Sequence, residues 1–271
     1  MGMTNLAERL VPDELWELLR RVVPETVVTR PQGGGRRRAG DRECLAAIVF
    51  VATSGCTWRQ VPPLFGPAWP TVYRRFARWS KDRVWARLHR VILDELGAQG
   101  NLDWSRFAID SVSVRALKGG LLTGPNPTDR GKNGSKIHLV TDRSGLPVTV
   151  AISAANTHDS LALQPLVASI PPIRSRRGPR RRRPDKLHGD KGYDYLHLRR
   201  WLRSRGITPR IARRGFENSQ RLGRHRRVIE RSMSWLVGCH RLHRHYERKP
   251  EHFLAFTAIG TNLISYRRLT K

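Results

Sequence analysis

The period of the hydrophobic pattern changes near residue 100, and no other feature constrains the fold of this chain more. Before that point, apolar residues recur at helical spacing, as Val72, Phe76 and Trp79 do. Beyond it, the stretch 107–114 alternates apolar and polar residues, a pattern that is typical of a strand. We therefore predict an α-helical domain over residues 1–98 and an α/β domain over residues 99–271.

The second part alternates predicted strands with predicted helices. Strands at 135–141 and 146–153 flank a tight turn at 142–145, which indicates a hairpin. Further strands are predicted at 186–190 and 207–212, and helices at 159–170, 193–205, 224–237 and 253–269. A run of arginine, proline and glycine predicts a basic flexible insertion at about 171–185. The order of elements predicts an α/β fold with a mixed sheet flanked by helices.

A basic amphipathic helix follows a helix and a turn in the first part, as a helix-turn-helix requires. In the run 71–79, one face is apolar and the other faces carry arginine. We expect this surface to bind DNA, through Arg59, Tyr73, Arg74, Arg75 and Arg78. The alternative is a solvated basic face on an ordinary bundle helix, which the spacing alone leaves open.

The net charge indicates the kind of partner. The chain has 51 Lys and Arg residues against 22 Asp and Glu residues, a formal net charge of +29. A basic side chain placed on a phosphate releases condensed counterions, so this excess favours nucleic acid over an anionic membrane surface, the weaker alternative. We expect the basic insertion to order on a phosphate backbone, through Arg180, Arg181 and Arg182.

The same sequence argues against membrane insertion and secretion. It has no run of about 18 apolar residues and no visible signal peptide. Its three cysteines are sparse and unpaired in pattern, which suits a reducing compartment. We therefore expect a cytoplasmic protein without a membrane partner.

Three acidic residues stand out by their positions. Asp110 lies inside a strand pattern, Asp190 ends a short strand, and Glu230 lies on a predicted helix among arginines. Mg²⁺ prefers one or two carboxylates with water and substrate phosphate oxygens, and two ions can clamp both oxygens of an in-line phosphoryl displacement. We therefore predict that the three carboxylates are catalytic and bind metal. The alternative is that each one is a salt-bridge partner of a basic residue.

Seven blocks, in this order, resemble the bacterial insertion-sequence transposases of the DDE type, in the group called insertion sequence family five. They are GCTWRQVP (55–62), WPTVYRRF (69–76), IDS (109–111), GSKIHLVTD (134–142), ANTHDS (155–160), GDKGYD (189–194) and VIER (228–231). The resemblance covers nearly the whole chain and implies an RNase H-like fold with Asp110, Asp190 and Glu230 as the DDE triad. It also implies two Mg²⁺ or Mn²⁺ ions, hydrolytic cleavage at the ends of the element, and attack of the new 3′-hydroxyl on target DNA.

The resemblance further implies double-stranded DNA, both element ends and target, as the partner. We expect Lys136, Lys191, which is next to Asp190, and Arg226, which precedes Glu230 by four residues, to contact that DNA. Synapsis of two ends implies a homodimer or a larger assembly on DNA, at the bacterial nucleoid. A second class of function stays open, namely a catalytically inactive DNA-binding remnant that only occupies element ends.

Overall fold

The structure is a computed structural model that describes residues 4–25, 38–213, 215 and 219–271, with the backbone alone at 4, 5 and 219–226. Its helices before residue 100 are α1 (Thr4–Leu10), α2 (Asp13–Arg20), α3 (Asp41–Ser54), α4 (Trp69–Lys81) and α5 (Val84–Gln99). The helix α3 ends at Gly55, whose φ of +74° is a left-handed conformation that glycine adopts without a Cβ clash. The predicted helical character of the first part is thus present. No helix among the described residues combines the length and the apolar character needed to cross a membrane.

The connection between α3 and α4 is longer than the predicted motif implies. It spans residues 55–68 and contains two short 3₁₀ turns, whereas a helix-turn-helix uses a turn of three or four residues. The connection is longer because its aromatic side chains fill the core, with Trp58 at 5.0 Å from Phe76 between ring centroids. The helices α4 and α5, by contrast, are joined by only Asp82 and Arg83.

One mixed sheet forms the centre of the second part. Its strands are β1 (Phe107–Arg115), β2 (Gly124–Pro125), β3 (Asn133–Thr141), β4 (Pro147–Ala154), β5 (Lys186–Gly189) and β6 (Thr208–Ile211). The order is β4-β3-β1-β5-β6, and the short β2 pairs with the start of β3. The pairs β4-β3 and β3-β1 are antiparallel, and β1-β5 and β5-β6 are parallel. The flanking helices are α6 (Ser160–Ala168), α7 (Leu196–Ser204), α8 (Ser219–Val237) and α9 (Pro250–Leu269). This arrangement confirms the predicted α/β, RNase H-like fold class.

The C-terminal helix α9 joins the two parts of the chain into one core. It packs on α3, α4 and α5 as well as on β4. The ring of Phe256 on α9 stacks on Phe76 of α4 at 4.6 Å between centroids, and the Asn262 side chain donates a 3.0 Å hydrogen bond to the carbonyl of Trp85. Because the hydrophobic core is continuous across residue 98, the predicted domain boundary there stays a prediction.

The basic segment 171–185 is folded against α5, which differs from the flexible insertion that its composition predicts. Ile173 is fully buried and exchanges two backbone hydrogen bonds of 2.9 Å with Arg181. On its other side, Arg180 donates two hydrogen bonds, of 2.8 and 2.9 Å, to the carboxylate of Asp94. One apolar anchor and one acidic partner thus hold this arginine-rich segment in place, features that its composition did not reveal.

The close approach of this segment to α5 predicts the effect of Gly97→Ala. A Cβ atom at position 97 would lie 2.0 Å from the backbone carbonyl oxygen of Arg174. Glycine to alanine inside a helix normally raises stability by up to about 1 kcal/mol, but here we expect the overlap to lower the free energy of unfolding by about 1–3 kcal/mol. Urea unfolding followed by circular dichroism measures the sign. A more stable variant would show that segment 171–185 does not pack on α5.

Three buried histidines predict how stability depends on pH. Burial lowers the pKa of His89, His138 and His245 to about 4, from the ordinary 6.5. Between these two values the unfolded chain binds more protons than the folded one, so stability is fully present above pH 6.5 and falls as the pH drops towards 4.

The variant His89→Gln isolates one of these contributions. The His89 Nε2 lies 3.1 Å from the carbonyl oxygen of Pro147, and a glutamine amide can donate the same hydrogen bond without titrating. We expect a smaller loss of unfolding free energy between pH 6.5 and 4, by roughly 1 kcal/mol or more. The control is His197→Gln, at an exposed position on α7, and an equal change in both variants would contradict the prediction.

Candidate active site

The parallel pairing of β1 with β5 brings two of the three predicted carboxylates to adjacent positions. Ala108 of β1 is paired with His188 of β5, and Asp110 and Asp190 each lie two residues further along. The backbone at Asp190 is still extended, so both side chains leave the sheet on the same face as Ala108. Neighbouring strands lie about 4.8 Å apart. The two carboxylates are therefore side by side at one end of the parallel strands.

Local backbone hydrogen bonds orient both carboxylates. The Asp110 Oδ1 accepts from the backbone N–H of Ser111 at 2.8 Å. The Asp190 Oδ1 accepts from the backbone N–H of Gly192 at 2.9 Å, which closes the short 3₁₀ turn Lys191–Tyr193. Each side chain is half-buried, so both carboxylates are partly fixed and partly open to a ligand.

The helix α8, which carries Glu230, covers the same face of the sheet. Ile229 and Met233 pack on Ala108 and Leu139, in a small apolar cluster beside the main core. Glu230 follows Ile229 on this helix and is exposed. Among the described residues, no three His, Cys, Asp or Glu side chains form a group that could hold a metal ion. The strand register thus brings Asp110 and Asp190 to one face of the sheet, and the helix that carries Glu230 packs on that face, without the three acids forming one cluster.

The turn between β3 and β4 fixes the position of α8. Ser232 donates a 2.6 Å hydrogen bond to the carbonyl of Gly145, and Arg231 donates one of 2.8 Å to the carbonyl of Ser144. Asp142 organises this turn, because its fully buried carboxylate accepts the backbone N–H groups of Ser144 and Leu146 at 2.9 and 2.8 Å. Burial raises the pKa of Asp142, against the opposing effect of these hydrogen bonds. A buried acid outside the predicted triad thus supports the helix of Glu230.

A tyrosine that the sequence analysis did not select lies beneath the site. Tyr193 is almost fully buried, and its hydroxyl makes no hydrogen bond to the described residues. Burial, followed by the charges of Asp159, Asp110 and Asp190, raises the pKa of Tyr193 far above its ordinary range. The ring therefore lies within electrostatic range of all three carboxylates. The available sequence signal is the block GDKGYD, in which Tyr193 stands three residues after Asp190.

A second polar network occupies the opposite face of β1. Ser111 donates a 2.9 Å hydrogen bond to the Asp159 carboxylate, and Lys136 forms a 3.0 Å ion pair with the same Asp159 oxygen. Lys136 also donates to the carbonyl of Thr157 at 2.8 Å. The network holds the start of α6 against the sheet. Lys136 was predicted to contact DNA, and in this structure its ammonium group is instead bonded within the protein.

The predicted DNA-binding residues of the helical part fall into two groups. Arg59, Arg74 and Arg78 are exposed, with Arg59 5.9 Å above the ring of Trp69. Tyr73 is half-buried among aromatic rings. Arg75 is different, because its side chain is buried and paired with Asp41 at the start of α3. We therefore correct its assignment from a DNA contact to a residue that packs α4 on α3.

The other basic residues that were predicted to bind DNA also differ in whether their charges are already bonded within the protein. Arg181 forms an ion pair with Asp185 and lies over the ring of Trp104, and Arg182 donates to the backbone carbonyls of Ile170 and Ala168. Together with Arg180 they have partners inside the protein. Lys191 is exposed beside Asp190. The side chain of Arg226 lies outside the described residues.

Comparisons with known proteins agree with the two parts of the chain. A family model described as "Putative transposase of IS4/5 family" matches residues 11–89, and one described as "Transposase DDE domain" matches residues 103–263. The chain is 36% identical over 230 residues to the "Putative transposase for insertion sequence element IS402" of Burkholderia cepacia, with 85% of this chain and 96% of that protein covered.

Two further similarities are weaker or shorter. The chain is 36% identical over 123 residues to the "Insertion element IS402 uncharacterized 16.2 kDa protein" of the same organism, which covers 45% of this chain and 84% of that protein. Among solved structures, "Mos1 transposase paired-end complex with left transposon end" aligns at 13% identity and a TM-score of 0.27, over 85% of this chain and 83% of that chain. A TM-score this low does not support comparison of individual residues.

The Lys136–Asp159 pair predicts the effect of Lys136→Met. Removing the ammonium group leaves the Asp159 carboxylate with Ser111 alone, so we expect the free energy of unfolding to fall by about 1–3 kcal/mol. Urea unfolding measures this loss, with Lys186→Met at an exposed position of β5 as the control. Unchanged stability with weaker DNA binding would instead support the original assignment of Lys136 as a DNA contact.

Proposed function

The chain belongs to the IS4/5-type DDE transposases and is a DNA transposase, and on this premise we propose that Asp110, Asp190 and Glu230 are its catalytic triad. The family model of the DDE domain spans all three residues. A catalytically inactive remnant that only occupies DNA ends is not favoured, since relatives and family models are described as transposases over nearly the whole chain.

The observation that carries the proposal is the shared face of the sheet. Asp110 and Asp190 follow the paired residues Ala108 and His188, and the helix of Glu230 packs on the same face through Ile229. A structural role as salt-bridge partners is the alternative for each acid. We favour the metal-binding role because the strand pairing and the packing of α8 bring the segments that carry these acids to one face of the sheet.

The chemistry of these donors fits divalent cations. DDE transposase domains generally use divalent metals, and we propose Mg²⁺ or Mn²⁺, bound by the oxygens of Asp110, Asp190 and Glu230. Mg²⁺ is commonly held by one or two carboxylates, with water and substrate phosphate oxygens completing its shell, which suits three side chains that do not form a closed cluster by themselves. When bound, two such ions would stabilise the charge on the attacking and leaving oxygens of a phosphoryl displacement.

We propose that the protein's own residues bind and orient DNA for two successive displacements. In the first, a water oxygen bonds to phosphorus and the bond to the 3′ oxygen breaks, which leaves a 3′-hydroxyl at the element end. In the second, that hydroxyl attacks a phosphorus of the target strand and displaces its 3′ oxygen. Lys191, exposed beside Asp190, is placed to bind the substrate phosphate. The exposed Arg74 and Arg78 of α4 bind the element end.

The proposed reaction also implies an assembly and a location. Joining both ends of an element requires both to be held at once, so we propose a homodimer or larger assembly when DNA is bound. Because the proposed substrates are bacterial chromosomal DNA, we propose that the protein works in the cytoplasm at the nucleoid.

The proposal predicts that Asp110→Asn, Asp190→Asn and Glu230→Gln each lose Mg²⁺-dependent cleavage, by on the order of 10³-fold. Each change keeps the side-chain shape and removes the charge that would hold a cation. The measurement is single-turnover cleavage of a duplex carrying the element end, normalised to folded protein.

The matched control is Asp185→Asn, which makes the same chemical change at an exposed residue before the other end of β5. We expect the control to cleave normally and the triad variants to keep binding the end. A triad variant that cleaves at close to the wild-type rate would remove that residue from the proposed set.

A further inference from the structure

A groove lies between the two parts of the chain, at a distance in sequence from the proposed triad. Its volume is about 810 Å³. One wall is the first half of α5, the other is the start of α9, and Val148, Thr149 and Val150 of the edge strand β4 form its floor. Its charged lining residues are Lys81, Arg83, Arg87, Arg90 and Glu251. Four cations against one anion make this groove strongly basic.

The three arginines of this groove have no ion-pair partner in the part of the chain that the structure describes. Among the described residues, no side chain or carbonyl forms a hydrogen bond or an ion pair with the guanidinium groups of Arg83, Arg87 and Arg90, and all three are exposed. The far end of the same helix is different, because Asp94 binds Arg180 and Glu95 binds Arg21. One half of α5 is therefore charge-balanced, and the half that lines the groove is not.

The spacing of the three arginines suits a chain of phosphates. Arg87 and Arg90 lie three residues apart on one face of α5, and Arg83 precedes Arg87 by four residues at the N-cap position of this helix. At 1.5 Å per residue the stretch from Arg83 to Arg90 is about 10.5 Å long, which corresponds to about three steps of 3.4 Å between phosphates of one DNA strand. Lys81 ends α4 and continues this row towards the exposed Arg78 of the same helix.

Arg83 itself occupies an unfavourable backbone position. Its φ of +55° is left-handed, a conformation that suits glycine or asparagine at the two-residue turn between α4 and α5. Arginine adopts this left-handed conformation less readily than glycine, but it contributes a positive charge at the mouth of the groove. Strain of this kind often marks a functional position.

We propose that this groove binds the phosphate backbone of DNA, with Arg83, Arg87 and Arg90 on phosphates of one strand. The site continues the proposed DNA-binding surface of α4 across the two-residue turn onto α5. This proposal rests on the proposed function in one respect, namely that the ligand is DNA. Since phosphate contacts carry no sequence information, the groove strengthens binding to element ends and to unrelated DNA alike.

Binding measurements on the full chain test the groove independently of catalysis. The probes are a labelled short duplex of arbitrary sequence and one carrying the element end, titrated in EDTA over a series of salt concentrations. Because EDTA removes divalent metals, an error in the proposed triad does not enter this measurement, and the cleavage assay reports on the triad separately.

The test variant is the triple change Arg83→Gly, Arg87→Gln and Arg90→Gln. We expect the slope of log K against log salt to become less steep by about 0.9 per lost contact, and affinity near 0.1 M salt to fall on the order of tenfold per residue, on both duplexes. The single change Arg83→Gly separates a loss of binding from a loss of folding. Because glycine suits a φ of +55°, we expect this variant to be at least as thermally stable as the wild type while its affinity for DNA falls.

The matched control removes the same number of positive charges at positions on β5 and α7, away from the groove. Lys186→Gln, Arg200→Gln and Arg203→Gln lie at exposed positions of β5 and α7, and we expect a much smaller change in slope. An equal loss in the control would overturn the proposal, because binding would then follow total charge. So would unchanged affinity in the test variant, or a loss on anionic phospholipid vesicles as large as that on DNA.

Discussion

The parallel pairing of β1 with β5 is the interaction on which the candidate site depends. Only two residue pairs, Phe107 with Leu187 and Ala108 with His188, define it. Because side chains alternate between faces, a slip of one residue would turn Asp190 to the face opposite Asp110. The buried apolar members of these pairs resist such a slip, since Phe107 and Leu187 are both fully excluded from solvent. The site geometry is thus maintained by core packing rather than by contacts between the acids themselves.

The helix α9 plays the corresponding role at the level of the whole chain. By packing on α3, α4, α5 and β4, it fixes the helical surface relative to the sheet through buried contacts such as Phe76 with Phe256. The groove proposed as a phosphate site exists because α5 and α9 meet over the edge strand β4. A single hydrophobic core thus supports the surface of α4, the groove and the sheet that carries the carboxylates.

The acidic residues of this basic chain have different structural roles. Asp41, Asp94 and Asp159 neutralise arginine or lysine between elements distant in sequence. Asp142 is buried and caps a turn with backbone N–H groups. With 22 acids for 51 basic residues, pairing each acid once leaves most cations unmatched, and position in the fold decides which ones. On α5, the arginines beside the groove have no acidic partner among the described residues, whereas Asp94 and Glu95 at its far end each pair with an arginine.

The sequence by itself determined the class of fold, the order of elements and the family, because hydrophobic period, turn residues and motif blocks are local. It identified the hairpin around Asp142, the strand of Asp110 and the helix of Glu230. It did not reveal that Arg75 is buried against Asp41, that Lys136 pairs with Asp159, or that segment 171–185 packs on α5. Those facts, like the groove, arise from contacts between residues far apart in the chain. Whether an arginine meets solvent or an acid depends on which surfaces the packed core brings together, and only the tertiary structure decides that.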